Sequence, residues 1–425
     1  MPGQTPAATE GAAQAISFHG KAALLLATAL ALLATPLISP AMNDIAIAFA
    51  GDTPSDPVAR VVAAFMTLFS DAVSISFIVK FISLSVPALF ILLFSPIAGW
   101  LSDRWGRRRL LVASLLLFGV AGASGYFAAS LTVLLLGRIG LGIAVAGIKT
   151  LTVAMVGDYF SGTARNRFIG WQGAAMKVGG VVFLFLGGAL ANIGWRVPFL
   201  GYLLAFIALP GVVFSLSESV PAPGHRQGAP AAATLALAPI TFILVSAFVA
   251  SVMFFMTMVQ MPFFIPERFA GTPGEVGLAT GLANLAAALI AMTFHRFKAR
   301  LSYPGIFAFI FATMGAGYAL AAFAPDFPVL LAAMLIAGCG FGLIVPAQSA
   351  WMMATVAPAQ RGLGIGLVTA AMFLGQFAAP MAIEPFIAPD DPGHVFVLAA
   401  QMLAALAVLY AAIAAGGWCL ARSQP

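Results

Sequence analysis

The sequence predicts an all-α polytopic membrane protein, with twelve transmembrane helices arranged as two pseudo-symmetric six-helix bundles. Three observations predict it. Of 425 residues, 62% are hydrophobic and only 8% charged, whereas soluble domains carry about a quarter charged residues. Apolar runs of the roughly 20 residues that cross a bilayer recur along the chain. A break rich in Pro, Gly and Ala then divides those runs six and six. Soluble enzymes and disordered chains are excluded by composition, and a transmembrane barrel would show short alternating strands.

Residues 1–19 are small and polar and read as a disordered cytoplasmic tail. The apolar run after them is too long for a signal-peptide core and no clean cleavage site follows, so it stays as a span. The predicted helices are 21–49, 74–98, 109–128, 131–156, 168–191 and 196–217, then 237–265, 276–294, 303–323, 327–355, 361–387 and 394–420. They form an N-terminal bundle over 20–217 and a C-terminal bundle over 237–420. Between them lies a cytoplasmic linker, 218–236 (ESVPAPGHRQGAPAAATLA), and 421–425 is a cytoplasmic tail. Segment 52–71, DTPSDPVARVVAAFMTLFSD, does not fit the repeat and reads as a packed excursion before the second helix.

Basic residues set the orientation. Arg104, Arg107, Arg108, Arg109, Arg165, Arg167, Arg296, Lys298, Arg300 and Arg361 fall on one side, and Arg60, Arg196 and Arg268 on the other. Both termini are therefore expected in the cytoplasm. The chain has no Asn-x-Ser/Thr sequon, in keeping with the inner membrane of a bacterium. Cys339 and Cys419 lie in apolar runs, with neither disulfide nor metal-ligand spacing. The halves also resemble each other: GRIGLGIAVAGIKTLTVAMV in the fourth helix aligns with GCGFGLIVPAQSAWMMATV in the tenth, the weak internal symmetry of a duplicated transporter. These glycine runs sit inside apolar helices and follow no strand, so they are packing surfaces and not dinucleotide loops. Gly338 with Gly342, and Gly362 with Gly366, have the spacing of close helix contacts.

Four cations fall inside predicted spans, all in the N-terminal half: Lys80, Arg138, Lys149 and Lys177. An intramembrane charge costs about 2.5–3.5 kcal/mol at the helix centre, so each is a candidate functional residue. Arg138 and Lys149 are eleven residues apart, about 20° beyond three full turns, and share a face with Gly142 and Val145. That stripe reads as a cavity wall. Ser76, Lys80, Ser83 and Pro87 form a comparable stripe on the second helix, where Lys80, near the outer end, can also snorkel. No acid is expected opposite these cations at mid-membrane; Asp44 and Glu384 lie near outer helix ends. Unpaired cations call for an anion, and the substrate is the expected one: a small organic anion or amphipathic solute whose apolar part meets Phe254, Phe255 and Met256. Gln260, Asn284, Gln348 and Gln376 are the candidate hydrogen-bonding residues of the other half.

Between helices two and three stands Gly99-Trp-Leu-Ser-Asp103-Arg104-Trp-Gly106-Arg107-Arg108-Arg109. It resembles the G-x-L-a-D-R-x-G-R-R-x signature of the major facilitator superfamily, at the place where that family carries it. Gly157-Asp158, the turn Gly194-Trp195-Arg196-Val-Pro-Phe199, and Pro358-Ala-Gln-Arg361-Gly362 also resemble joints of the family. The resemblance implies two six-helix bundles rocking about a central site. It further implies that Asp103 caps the start of helix eleven near Gly362, that Arg104 or Arg107 pairs with Asp158, and that these contacts hold an outward-open state. Gly99, Asp103, Arg104, Gly106, Arg107, Asp158, Arg361 and Asp44 are thus the coupling and gating candidates, and Arg138 matches a basic residue the family often carries in helix four. The pattern lies nearest drug or metabolite:proton antiporters, whose helix-five motif is incomplete here: Gly179 and Gly187-Gly188 are present, but Phe183-Leu184 replace its Gly-Pro.

Three function classes follow: a proton-linked exporter, an uptake or exchange permease for organic anions, and, remotely, a non-transporting receptor or membrane-embedded enzyme. No HExxH, Ser/His/Asp set or paired intramembrane aspartates support the last. The expected partners are a small-molecule substrate and membrane lipids, not nucleic acid, for a monomer without cofactor or metal that draws on a proton gradient.

Overall fold

The computed structural model describes residues 16–32, 34–50, 60–62, 64, 67, 74–160, 162–218, 237–357, 360–388 and 391–422. Among them, eleven helices are long and apolar enough to cross a membrane, and no strand occurs. In hydrocarbon each backbone N–H and C=O must find its partner within the chain, which the α-helix does locally. Counted by the predicted order, the second span is Ile75–Ser102, the third Arg107–Phe127, the fourth Leu131–Tyr159, the fifth Arg167–Ala191 and the sixth Val197–Ser215. The other half has Pro239–Phe269, Pro273–Ala291, Tyr303–Ala322, Phe327–Thr355, Arg361–Phe386 and His394–Gly416 as spans seven to twelve. Helix starts are marked by side chains that accept an N–H three residues on: Ser74, Ser130, Thr272, Ser302 and Asp326.

The first predicted span is not one helix. Phe18–Leu30 is α-helical, and helix resumes only as a 3-10 turn at Ser39–Ala41 followed by Met42–Ala48. Pro36 and Pro40 account for the break, since each lacks an N–H and crowds the carbonyl four residues back. Two side-chain hydrogen bonds tie the break to other spans. The Tyr202 hydroxyl donates to the Ala34 carbonyl at 2.8 Å, and Ser39 Oγ donates across the molecule to the Met258 carbonyl at 2.9 Å.

The second span contains a π turn, Phe81–Ser85, between the α-helices Ile75–Lys80 and Val86–Trp105. Pro87 cannot donate to the Ser83 carbonyl, and the Val86 N–H reaches back five residues to Phe81. The regular stripe Ser76, Lys80, Ser83, Pro87 is thereby broken, because the π turn changes register after Lys80. Of the predicted excursion 52–71, residues other than 60–62, 64 and 67 lie outside the described ones, as does the linker beyond Glu218.

Two main buried cores form. One joins residues of spans one to six, from Ala23 to Leu216, with Met381 as its one member from the other half. The second runs from Ala250 to Tyr410. Arg138 sits at 0% exposure inside the first. Its NH1 donates to the Tyr202 hydroxyl at 3.0 Å and its NH2 to the Gly122 carbonyl at 3.3 Å, while its guanidinium lies over the Phe199 and Tyr202 rings, 5.1 Å from each centroid. The stripe it shares with Gly142 is a packed seam and not a cavity wall: a Cβ on Gly142 would stand 2.8 Å from the Pro87 carbonyl oxygen. Gly338 and Gly342 pack as expected, facing the carbonyls of Ala283 and Ala287.

Tyr202 thus serves both a broken helix and a buried cation. Tyr202→Phe is expected to leave the Ala34 carbonyl and one Arg138 donor unpaired and to destabilise the N-terminal half by about 2 kcal/mol, seen as a lower midpoint of thermal unfolding in detergent.

Candidate functional site

The two halves touch at one end and part at the other. The end bearing Arg107, Arg108, Lys298 and Arg361 is called the basic end, and its counterpart the far end. At the far end, span five meets span eight through glycine: a Cβ on Gly188 would lie 2.9 Å from the Pro273 carbonyl oxygen and the Gly277 Cα. Beside it, the Gly274 N–H donates to Asn192 Oδ1 at 2.8 Å. Met42, Leu84, Leu184, Met258 and Val259, drawn from both halves, form a fully buried apolar plug.

Nearer the basic end the same helix faces are open. On span five, Gly173, Lys177, Leu184 and Gly188 share a face by their spacing of 4, 7 and 4. Leu184 and Gly188 pack on the other half, while Gly173 has nothing within 4 Å of a would-be Cβ, and neither do Gly170 and Gly180 beside that face. On span eleven, Gly362, Gly366, Phe373, Phe377 and Glu384 also share a face. Its far members touch the N-terminal half, whereas Gly362 and Gly366 meet nothing within 4 Å. The expected packing of Gly362 with Gly366 is therefore not made, because the basic end of span eleven stands clear. A chamber closed at the far end and open at the basic end lies between the halves.

Lys149 and Lys177 face it. Lys149 Nζ lies 4.4 Å from the centroid of the Phe373 ring of the opposite half. Neither lysine's side chain has an ion pair or hydrogen bond among the described residues. From the other half, Gln376 is buried and its Nε2 donates to Thr35 Oγ1 in the break of span one, at 3.3 Å. Asn284 shares the face of span eight that carries Gly277; its Nδ2 donates to the Thr280 carbonyl at 2.9 Å. Gln260 Nε2 and both amide atoms of Gln348 are buried without a hydrogen-bond partner. Phe254 and Phe255 pack against the plug from the chamber side, and Phe254 stacks edge-on to Phe341. Arg138 does not reach the chamber: it is fully buried, and its NH1 and NH2 donate within the N-terminal bundle.

Lys80 corrects the expectation that no acid faces these cations. Its Nζ lies 3.2 Å from Glu384 Oε2, with the two side chains 4% and 9% exposed, and 4.7 Å from the centroid of the Phe263 ring. It does not snorkel. A reading by helix ends hides the acid, because Glu384, just after the last α-helical residue Ile383, keeps the phase of Phe373 and Phe377 and so faces the other half.

At the basic end, Arg107 NH1 meets Asp158 Oδ2 at 2.5 Å and the Ala154 carbonyl at 2.9 Å. Arg104 stacks over Trp100, 4.0 Å from its centroid, and not on Asp158. The side chain of Asp103 lies outside the described ones, and its expected cap on span eleven with it. Gly106 has φ 90°, a backbone conformation that favours glycine. The turn lets Glu218, which begins the linker, accept the Arg108 N–H at 3.0 Å at the start of span three. Gly99 abuts Thr150 of span four, and Arg361 is exposed at the first turn of span eleven. Asp44 lies in the first turn of Met42–Ala48 with no ion pair or hydrogen bond among the described residues. A separate apolar cleft of about 370 Å³ lies between spans seven, eleven and twelve, lined by Met253, Phe386 and Met402 among others, away from the lysines.

Two halves of helices about a chamber open at one end define a membrane transporter. The chain belongs to the Major Facilitator Superfamily, whose model matches residues 24–266 and 243–417. It is 31% identical over 330 residues to the class C tetracycline resistance protein of Escherichia coli, covering 72% of this chain and 79% of that one. It is 28% identical over 317 residues to the class G tetracycline resistance protein of Vibrio anguillarum, covering 70% and 78%. Among solved structures, the human organic anion transporter MFSD10 superposes with a TM-score of 0.66 at 19% identity, over 92% of this chain and 99% of that one.

Gly106→Ala is expected to force a strained backbone, set a Cβ against Glu218, and destabilise the protein by about 2 kcal/mol. Gly362→Ala, facing open space, is expected to leave the midpoint of thermal unfolding unchanged.

Proposed function

We propose that this transporter exports a small anionic or amphipathic organic solute across the cytoplasmic membrane of a bacterium, by alternating access and in exchange for protons, with both termini and the basic end in the cytoplasm. The observation that carries the reading is the contrast among the four membrane cations. Arg138 is held by Tyr202 and Gly122, and Lys80 by Glu384, but Lys149 and Lys177 face the chamber with no acidic partner. A carboxylate or phosphate entering the open end would supply the missing charge. Phe373, Phe254 and Phe255 would receive apolar bulk, and Asn284 offers a carbonyl oxygen. The basic residues at the open end support its placement in the cytoplasm.

Export is favoured by the two tetracycline resistance proteins that this chain resembles over more than two thirds of its length. Asp44, a carboxyl group without a partner in the broken first span, is the group we assign to proton exchange. A second reading, uptake or exchange of organic anions, is favoured by span five, where Leu184 occupies the plug in place of the antiporter motif's proline.

In proteoliposomes, Lys149→Gln and Lys177→Gln are each expected to weaken binding of a transported organic acid roughly tenfold to a hundredfold, and the double variant to abolish its transport. Transport of cationic drugs would be spared. Undiminished transport of every organic acid handled by the parent protein would refute the anion reading. Transport only from the face opposite the basic end would refute export.

A further inference from the structure

We propose that Lys80, Glu384 and the π turn between them and the core of span two form a latch that holds the far end of the transporter shut, and that converting this π turn to α-helix releases it. Lys80 comes from span two and Glu384 from span eleven, so their 3.2 Å contact bridges the two halves where they meet. The second carboxylate oxygen is also engaged: Ser74 Oγ, the cap of span two, donates to Glu384 Oε1 at 3.2 Å. Two further contacts to span eleven start within the π turn itself. Phe81 packs edge-on against Phe377, with centroids 6.0 Å apart, and Ser85 Oγ donates to the Phe377 carbonyl at 2.6 Å. Lys80 is the last residue before the turn and Ser85 the last residue within it, so cation, ring and hydroxyl all reach span eleven from one short stretch.

This stretch has two available geometries. A π turn holds one residue more than the α turn it replaces, so its conversion rotates the residues on either side by about 100° relative to each other. With Val86–Trp105 fixed in its bundle, that rotation swings Lys80 off Glu384. Ser83 marks the second state. Its Oγ is buried and without a hydrogen-bond partner in the π form, whereas a serine in a regular helix can donate to the carbonyl four residues back, here Val79. The latched state therefore leaves a polar group unsatisfied that the released state can satisfy, while the ion pair favours latching. The two terms oppose each other, as a switch requires. The latch needs no bound solute and is independent of the anion reading.

The test is a distance measurement by pulsed electron resonance in lipid nanodiscs. Spin labels are carried at Ala129→Cys and Phe323→Cys, exposed turns of the two halves at the far end, with Cys339 and Cys419 changed to Ser. Lys80→Gln and Glu384→Gln are expected to raise the long-distance, far-end-open population roughly tenfold. Ser83→Ala, which removes the unsatisfied hydroxyl, should lower it. The exchanged pair Lys80→Glu with Glu384→Lys, built with Glu267→Gln because Glu267 also acts on Lys80, should return it to the parent value. Unchanged distances in both single-charge variants, or failure of the exchanged pair to restore them, overturns the ion pair as a latch; an unchanged population in Ser83→Ala overturns the role of the π turn.

Discussion

Hydrocarbon offers no partner to a polar group, so each N–H, carbonyl and charge within the membrane must be answered by the chain or by what the chain carries. Regular helix answers most of the backbone. Where prolines interrupt it, side chains from distant spans take over: Tyr202 reaches the Ala34 carbonyl, and Ser39 reaches Met258 in the other half. The same rule sorts the charges. Arg138 is enclosed by a tyrosine, a carbonyl and two rings, and Lys80 by a carboxylate and a ring. Lys149 and Lys177 are left facing a chamber open at one end. A charge can remain there because water or a solute can reach it.

Closure at the far end rests on three kinds of contact with different ranges. Glycines let the backbones of spans five and eight come within van der Waals distance, and any side chain at Gly188 or Gly277 would part them. The apolar plug of Met42, Leu84, Leu184, Met258 and Val259 excludes water by area, which is non-directional. Lys80 with Glu384 adds direction and register, the use to which buried ion pairs are best suited. Small residues and apolar surface permit sliding, and a hydrogen-bonded charge pair does not, so the pair defines one closed arrangement among many similar ones. At the basic end the interactions lie within the N-terminal half: Arg107 with Asp158, and Glu218 on the start of span three. Nothing of comparable strength joins the halves there among the described residues, consistent with an open mouth.

The sequence motifs and the tertiary contacts divide the signature loop between them. Gly106 is required by its positive φ, and Arg107 finds Asp158 as the family resemblance implies. Arg104 instead stacks on Trp100, one turn away in its own helix, which no spacing rule distinguishes from a reach across to span four. By composition Glu218 begins the linker, yet it closes the N-terminus of span three. Its signal was there in principle, an acid placed just after a span on the side where Arg108 and Arg109 begin the next bundle helix. Tyr202 is likewise a lone hydroxyl in an apolar run, and nothing in that run marks it or indicates its partners.

By itself the sequence determined what depends on local chemistry and bulk composition: a helical, membrane-spanning chain, the positions of its spans, the glycine turn of the loop, and the short list of charges that hydrocarbon would penalise. Scarcity of charge made that list short enough to read. Only the tertiary structure decided which charges are paired, because pairing depends on helix rotation and on breaks that shift it. The π turn after Lys80 and the proline break in span one each change the direction of residues without altering the hydrophobic pattern around them. Helical phase propagates along a span, so one such irregularity redirects every residue beyond it, and the partner of a membrane cation becomes a property of the whole bundle.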